Sequence, residues 1–166
     1  MYYTKIVVDE ETYEVSDEYN IRDLKKCLRY NFASIMNNKF LLDNLNNFNK
    51  LINENSRNRY ILQYNGLLVG FVLGSFKDNN YKATIFCWNH IYKRFSRKLL
   101  RAWSLLVFKR MRDDGIGYFI IPILKHRKNF KNYFKLMQRV FPEGELDSTM
   151  DTENVKVLKI NLSKIV

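Results

Sequence analysis

The sequence predicts an α+β domain built on a mixed, mostly antiparallel central sheet flanked by helices. Three observations lead there. The order of hydrophobic periods reads β, two helices, three β segments, helix, strand, helix, strand. The three central β segments are joined by compact turns, one of them Asn65-Gly66, the strongest short hairpin signal. A single helical stretch then separates the third of these segments from the next, and such a crossover makes the two strands parallel.

Lys5 to Val8 and Thr12 to Val15 read as short strands joined by acidic residues. Ser16-Asp17 offers an N-cap, and Ile21, Leu24, Leu28, Phe32 and Ile35 follow a helical period. Leu41, Leu45, Phe48 and Ile52 repeat that period through an Asn-rich segment, with a loop over 53–58. Tyr60 to Gln63, Leu67 to Phe76 and Tyr81 to Trp88 form an antiparallel meander, with Lys77 to Asn80 as its second turn. Phe95, Leu99, Trp103, Leu106 and Arg110 lie on one face of the next helix, with Ala102 and Val107 beside it, and Gly115 fits its terminator. Tyr118 to Ile121 is a buried strand ended by Pro122. The last helix turns Phe130, Tyr133, Phe134, Met137 and Phe141 inward, and Val155 to Leu162 closes the chain as a strand. Burial is expected for Phe95, Leu99, Trp103, Leu106, Phe119, Ile121, Phe134 and Phe141.

With 166 residues, 46% hydrophobic and 27% charged, the chain reads as one domain, 1–166, with a core that needs neither disulfide nor metal. Neither a signal peptide nor an apolar stretch long enough to span a bilayer is visible, so a cytoplasmic setting is expected. Asn occurs nineteen times and Ala three, the usage of an AT-rich genome such as a low-GC bacterium or its phage, which would make the setting host cytoplasm or virion. Cys27 and Cys87 have no paired spacing and read as two buried thiols.

Charge is concentrated. From Ile91 to Phe141 there are fourteen Lys/Arg and two acids, Asp113 and Asp114, while the rest of the chain nearly balances within a net charge of +11. Charge of one sign on one region marks where an anion is met. Arg94, Arg97, Lys98 and Arg101 share one face at a helix start, and Lys128, Lys131, Lys135 and Arg139 line the outside of the last helix.

From about Arg59 to Phe141 the element order resembles the core of the GCN5-related N-acetyltransferase (GNAT) superfamily. In that family a loop opening the helix after the meander wraps the pyrophosphate of acetyl-CoA, with the pattern Arg or Gln, two residues, Gly, one residue, Gly or Ala. A helix N-terminus suits that anion. Aligned on Arg94, the pattern places Arg97 and Leu99 on its small positions. Arg97 would then meet phosphate through its side chain, Leu99 would pack inward, and both would obstruct the backbone's approach. Along the last helix the family carries Asn, a small polar residue, Tyr and Gly-Phe. Asn129, Asn132 and Phe141 match, while Leu136 and Val140 replace the Tyr and the Gly. The resemblance thus implies cofactor contacts at Arg94, Arg97, Lys98 and Asn129.

Against these stand weaker candidates. Cys27, Cys87, His90 and His126 lack metal-ligand spacing, so no metal is expected. Glu10, Glu11 or Asp17 would serve as a base for an amine, but surface loops explain them as well. Tyr92, Phe95, Trp103, Phe130 and Tyr133 interleave with bases as a stacking platform would, though their spacing is that of core. The expected function is a GNAT-like binding or structural component, virion-associated if phage-encoded, with a degenerate acyl-CoA site. It would bind acetyl-CoA weakly, have no assigned catalytic residue, and meet an anionic partner, protein surface or nucleic acid, across Ile91 to Phe141. Arg101, Lys128, Lys131, Lys135 and Arg139 would carry that contact. An active acetyl-CoA-dependent N-acetyltransferase and a cofactor-free nucleic-acid-binding module are the alternatives.

Overall fold

The computed structural model describes residues 3–18, 20–35, 59–89, 92 and 96–166. The second helical pattern, Leu41 to Ile52, lies outside them, as do His90, Arg94 and Phe95.

Eight strands form one sheet in the order β1-β2-β3-β4-β5-β6-β8-β7. The chain begins with β1 (Tyr3–Val8) and β2 (Glu11–Ser16), paired antiparallel. Their turn is Asp9-Glu10, both in the left-handed region at φ 50° and 68°, which matches strand twist. Helix α1 (Ile21–Ile35) follows. Its cap is Asn20 rather than Ser16-Asp17: the Asn20 Oδ1 accepts from Arg22 N at 2.9 Å, because β2 runs on through Ser16.

The meander is β3 (Arg59–Tyr64), β4 (Leu67–Lys77) and β5 (Asn80–Trp88). Both turns use positive φ at their two central residues, Asn65-Gly66 (48°, 79°) and Asp78-Asn79 (50°, 65°). Helix α2 (Arg97–Asp113) ends as its terminator suggests. Gly115, at φ +87°, donates to Arg112 O and Ile116 N to Met111 O, which satisfies two terminal carbonyls.

Strand β6 (Tyr118–Leu124) then pairs parallel with β5, Asn80 opposite Tyr118 through Lys82 opposite Ile120. It does not stop at Pro122. Beyond Ile120 it has lost its β5 neighbour, and proline is tolerated where a strand has become an edge. Helix α3 (Phe130–Val140), the short β7 (Gly144–Leu146) and β8 (Val155–Asn161) complete the chain, β8 inserting between β6 and β7.

One face of the sheet packs against α2 and the end of α3. Trp103, Val107, Phe108 and Met111 meet Tyr81, Phe119, Met137 and Phe141 in one cluster, with Tyr81 stacked on Phe119 at 5.3 Å between ring centroids. Helix α1 covers the opposite face with Leu24, Cys27 and Leu28. The inward face of α2 is rotated from the sequence expectation: Leu99, Leu100, Trp103, Ser104, Val107, Phe108 and Met111 are buried, whereas Leu106 is half-buried. Leu100, Ser104, Val107 and Met111 continue a helical stripe on which Leu106 stands to one side. Phe134 is also half-buried, lying against Phe130 and under the Lys156 ammonium.

Candidate functional site

The parallel pair β5 and β6 is joined only at its N-terminal ends. After Lys82 and Ile120 the ladder stops, so 83–88 and 121–124 run on without bonding each other. At that point β5 is also bulged: Leu73 faces Ile85 and Gly74 faces Ala83, leaving Thr84 as the extra residue. A bulge leaves one residue unpaired and bends its strand, which assists the parting. Gly74 is required opposite it, since a Cβ there would strike the Lys82 carbonyl and the Tyr81 ring. The result is a cleft, a gap between the two strand ends across which their backbone groups do not pair with each other.

The next element after β5 is α2. Ser96 is the N-cap, its Oγ accepting from Leu99 N at 3.0 Å. The junction between loop and helix is therefore Ser96, and Leu99 lies one turn inside the helix, 1% exposed. Leu99 packs into the core, as expected. The N–H groups of Arg97 and Lys98 have no acceptor among the described residues, as the first turn of a helix leaves them.

The cations around this helix start differ in what they meet. Arg97 is exposed. Lys98 reaches Asp9 at 2.6 Å, with both side chains largely exposed, so the pair is weak. Arg101 is already engaged: its Nη1 donates to Glu143 Oε2 at 2.8 Å and to Val140 O at 3.0 Å, and its Nη2 donates to Glu143 Oε1. This fork holds the Glu143 carboxyl below the usual glutamate range through hydrogen bonding with Arg101. An open groove of about 330 Å³ is lined by Arg97, Lys98, Arg101, Arg139, Val140 and Pro142.

Across the cleft, Asn129 precedes α3 in the left-handed conformation (φ 56°, ψ 36°), exposed and without a side-chain capping bond. Lys128, Lys131, Lys135 and Arg139 are exposed as expected. Leu136, the residue at the family's tyrosine position, is half-buried. One turn earlier on the same side of α3 stands Tyr133, which the spacing assigned to core. It sits under the Arg127 guanidinium, whose Cζ is 3.3 Å from the ring centroid. Desolvation raises the Tyr133 phenol above its ordinary 10.0, with smaller opposing effects from Arg127 and a raising effect from Cys87. Burial likewise lowers Arg127, and its Nε is a buried donor with no partner among the described residues. Cys87 belongs to the end of β5 and Arg127 to the turn after β6, so Tyr133 lies at the mouth between the parted strands. Its signal in the sequence was the i, i−3 relation to Leu136.

The remaining candidates are dispersed. Cys27 and Cys87 are both buried, and their sulfurs are 3.7 Å apart, a contact between α1 and β5 that their spacing does not reveal. His126 Nε2 bonds Asn154 Oδ1 at 3.0 Å. The Tyr64 hydroxyl donates to Glu11, Glu10 occupies the first turn, and Asp17 follows β2. Tyr92 and Trp103 are buried and Phe130 is half-buried, so none of the three forms an exposed stacking platform. Among the described residues no three His, Cys, Asp or Glu side chains gather as a metal site, and no helix is long and apolar enough to cross a membrane.

No family model matches the sequence, and no curated protein matches it. Solved structures do match. The PaiA N-acetyltransferase of Thermoplasma acidophilum, in complex with coenzyme A, aligns at a TM-score of 0.69 and 14% identity, over 90% of this chain and 98% of that one. The ribosomal-protein-S18-alanine N-acetyltransferase of Escherichia coli aligns at 0.62 and 10% identity, over 90% and 94%. Ard1 of Thermoplasma volcanium aligns at 0.62 and 11%, over 90% and 97%. Identities this low speak to the fold alone, and with the parted parallel strands and the capped helix behind them they identify it: the chain has the α+β fold of the GCN5-related N-acetyltransferases.

Proposed function

We propose that the protein is an acyl-coenzyme-A-dependent N-acyltransferase with acetyl-CoA as the donor. One observation carries the reading: β5 and β6 separate after Lys82 and Ile120, and α2, whose first turn leaves N–H groups without acceptors among the described residues, is the next helix after β5. A thioester cofactor with a polar arm and a phosphate-bearing end needs two such features, unpaired backbone groups along its arm and a positive helix end at its phosphates. The free N–H groups of Arg97 and Lys98, the exposed Arg97 guanidinium and Asn129 are the groups that would hold it. The orphaned Arg127 Nε is a buried donor of the kind a ligand satisfies. Acetyl-CoA, when bound, supplies an activated acyl group.

Among the chain's own residues, Tyr133 is the proton donor of this reading. Its phenol is protonated at neutral pH, as an ordinary tyrosine is, and burial raises it further. It stands at the cleft mouth, where a thiolate would leave, and the guanidinium over its ring stabilises the phenolate that donation forms.

Specific observations also favour a second reading, a binding component with a degenerate cofactor site. Ser96 Oγ takes the Leu99 N–H, Asp9 pairs weakly with Lys98, and Glu143 occupies Arg101, so internal groups already use part of the anion grip. Calorimetric titration with acetyl-CoA separates the two. The first reading predicts binding that persists at physiological salt and weakens roughly tenfold or more in Arg97→Ala, the value of a charged hydrogen bond. Binding that vanishes as salt is raised to the physiological level would leave only screened attraction, and the second reading would stand.

A further inference from the structure

We infer that the outer face of α3 is a nucleic-acid backbone-binding surface, separate from the cleft and independent of whether coenzyme A binds there. Lys131, Lys135 and Arg139 are spaced four apart, so they form one row about 12 Å long on the helix. Lys128 extends the row from the preceding turn. All four are exposed, and none of their side chains has an ion pair or hydrogen bond among the described residues. Three other cations do: Lys125 donates to Thr152 O, Arg101 to Glu143 and Lys98 to Asp9. The row does not end at the helix. Arg139 also lines the groove with Arg97 and Lys98, so the positive strip turns the corner onto α2.

Stability does not account for this arrangement. Lys128 and Lys131 stand at the start of α3, where the helix dipole disfavours cations, and neither α2 nor α3 has an acid in its first turn. A local rule broken in this way, without internal compensation, marks a surface kept for a partner.

The chemistry of that partner follows from what the strip lacks. None of the exposed large apolar side chains of the described residues, such as Val7, Phe76 and Leu146, belongs to α3. A membrane-bound helix would insert apolar groups, and a protein interface would bury an apolar centre. The exposed side chains between the cations are amides, Asn132 and Gln138, which bond phosphate and sugar oxygens as readily as they bond water. A row of uncompensated cations with polar neighbours and no apolar anchor suits a phosphate backbone read without regard to base sequence.

The test is fluorescence anisotropy with a short labelled DNA duplex of arbitrary sequence, titrated with the full chain between about 50 and 200 mM salt. Four phosphate contacts give a slope of log K against log salt of about −3.6, so affinity falls roughly 150-fold over that range. Lys131→Gln/Lys135→Gln/Arg139→Gln leaves one contact, and its slope falls to about −0.9, a loss of only some 3.5-fold over the same range. Lys77→Gln/Lys82→Gln/Lys109→Gln removes the same charge from exposed sites elsewhere and retains the steep slope. Circular dichroism melts confirm that both variants fold. The inference is overturned if the natural protein's slope is shallower than about −1, or if the control variant loses as much as the α3 variant. Tighter binding to polyglutamate or to phosphatidylserine vesicles than to the duplex overturns it equally, in favour of an acidic protein or a membrane. Acetyl-CoA titration of Lys131→Gln/Lys135→Gln, which leaves Arg139 in its groove with Arg97 and Lys98, keeps the two proposals apart.

Discussion

Replacing Trp103 by Ala and, separately, Leu106 by Ala tests the orientation of α2 on the sheet. The two residues lie one turn apart, and their spacing alone places both on the inward face. In the structure Trp103 is 1% exposed, set edge-on to Trp88 at 6.2 Å between ring centroids. The absent side chain of Gly70 makes room for it, since a Cβ there would lie 3.3 Å from Trp103 Cζ3. Leu106 is half-buried at the margin. Truncating a fully buried Trp costs about 3–5 kcal/mol, while a half-buried Leu forfeits about half the usual cost for its type, roughly 1–2 kcal/mol. For a chain of this size each kcal/mol shifts Tm by about 2–4 °C, so the expected losses are about 6–20 °C and about 2–8 °C. Denaturant melts of both variants, read by tryptophan fluorescence and circular dichroism, give the comparison. A Leu106→Ala cost equal to or above that of Trp103→Ala would refute the rotated face.

Three further outcomes are expected. Ser104 is 3% exposed and its Oγ has no hydrogen-bond partner among the described residues, so Ser104→Ala should raise stability by up to about 1 kcal/mol in the same melts. Glu143 titrates below its ordinary 4.5 because Arg101 holds it charged, so the folded state gains from it above that value and loses the gain as pH falls. Glu143→Gln should therefore be less stable than the natural protein above pH 4.5, with the gap closing as melts are repeated at more acid pH. The thiols of Cys27 and Cys87 are 2% and 4% exposed, so a thiol reagent should modify both slowly in the native protein and rapidly in denaturant.

Local signals in the sequence located most of the sheet. Asn65-Gly66 and Asp78-Asn79 took the positive φ their residue types favour, and the strands between them began and ended within a residue or two of expectation. The parallel pairing of β5 with β6 followed from one crossover helix. What escaped depends on groups far apart in the chain. Glu143 lies 42 residues beyond the Arg101 it neutralises, and Cys87 lies 60 beyond Cys27. Neither pair leaves a pattern in a local window. Pro122 reads as a strand end only if a neighbour is assumed on both sides, and the parted β5 removes that assumption. The start of α2 also escaped: Ser96 sets it through a side-chain cap that the basic residues around it obscured.

The account rests on the cleft between β5 and β6 being a coenzyme A site. A crystal structure of the protein grown with coenzyme A tests that directly. The account predicts the cofactor's arm between 83–88 and 121–124, with its phosphates at the Ser96 to Lys98 turn. Coenzyme A bound elsewhere, or absent at saturating concentration while the cleft is filled by the protein's own side chains, would contradict it.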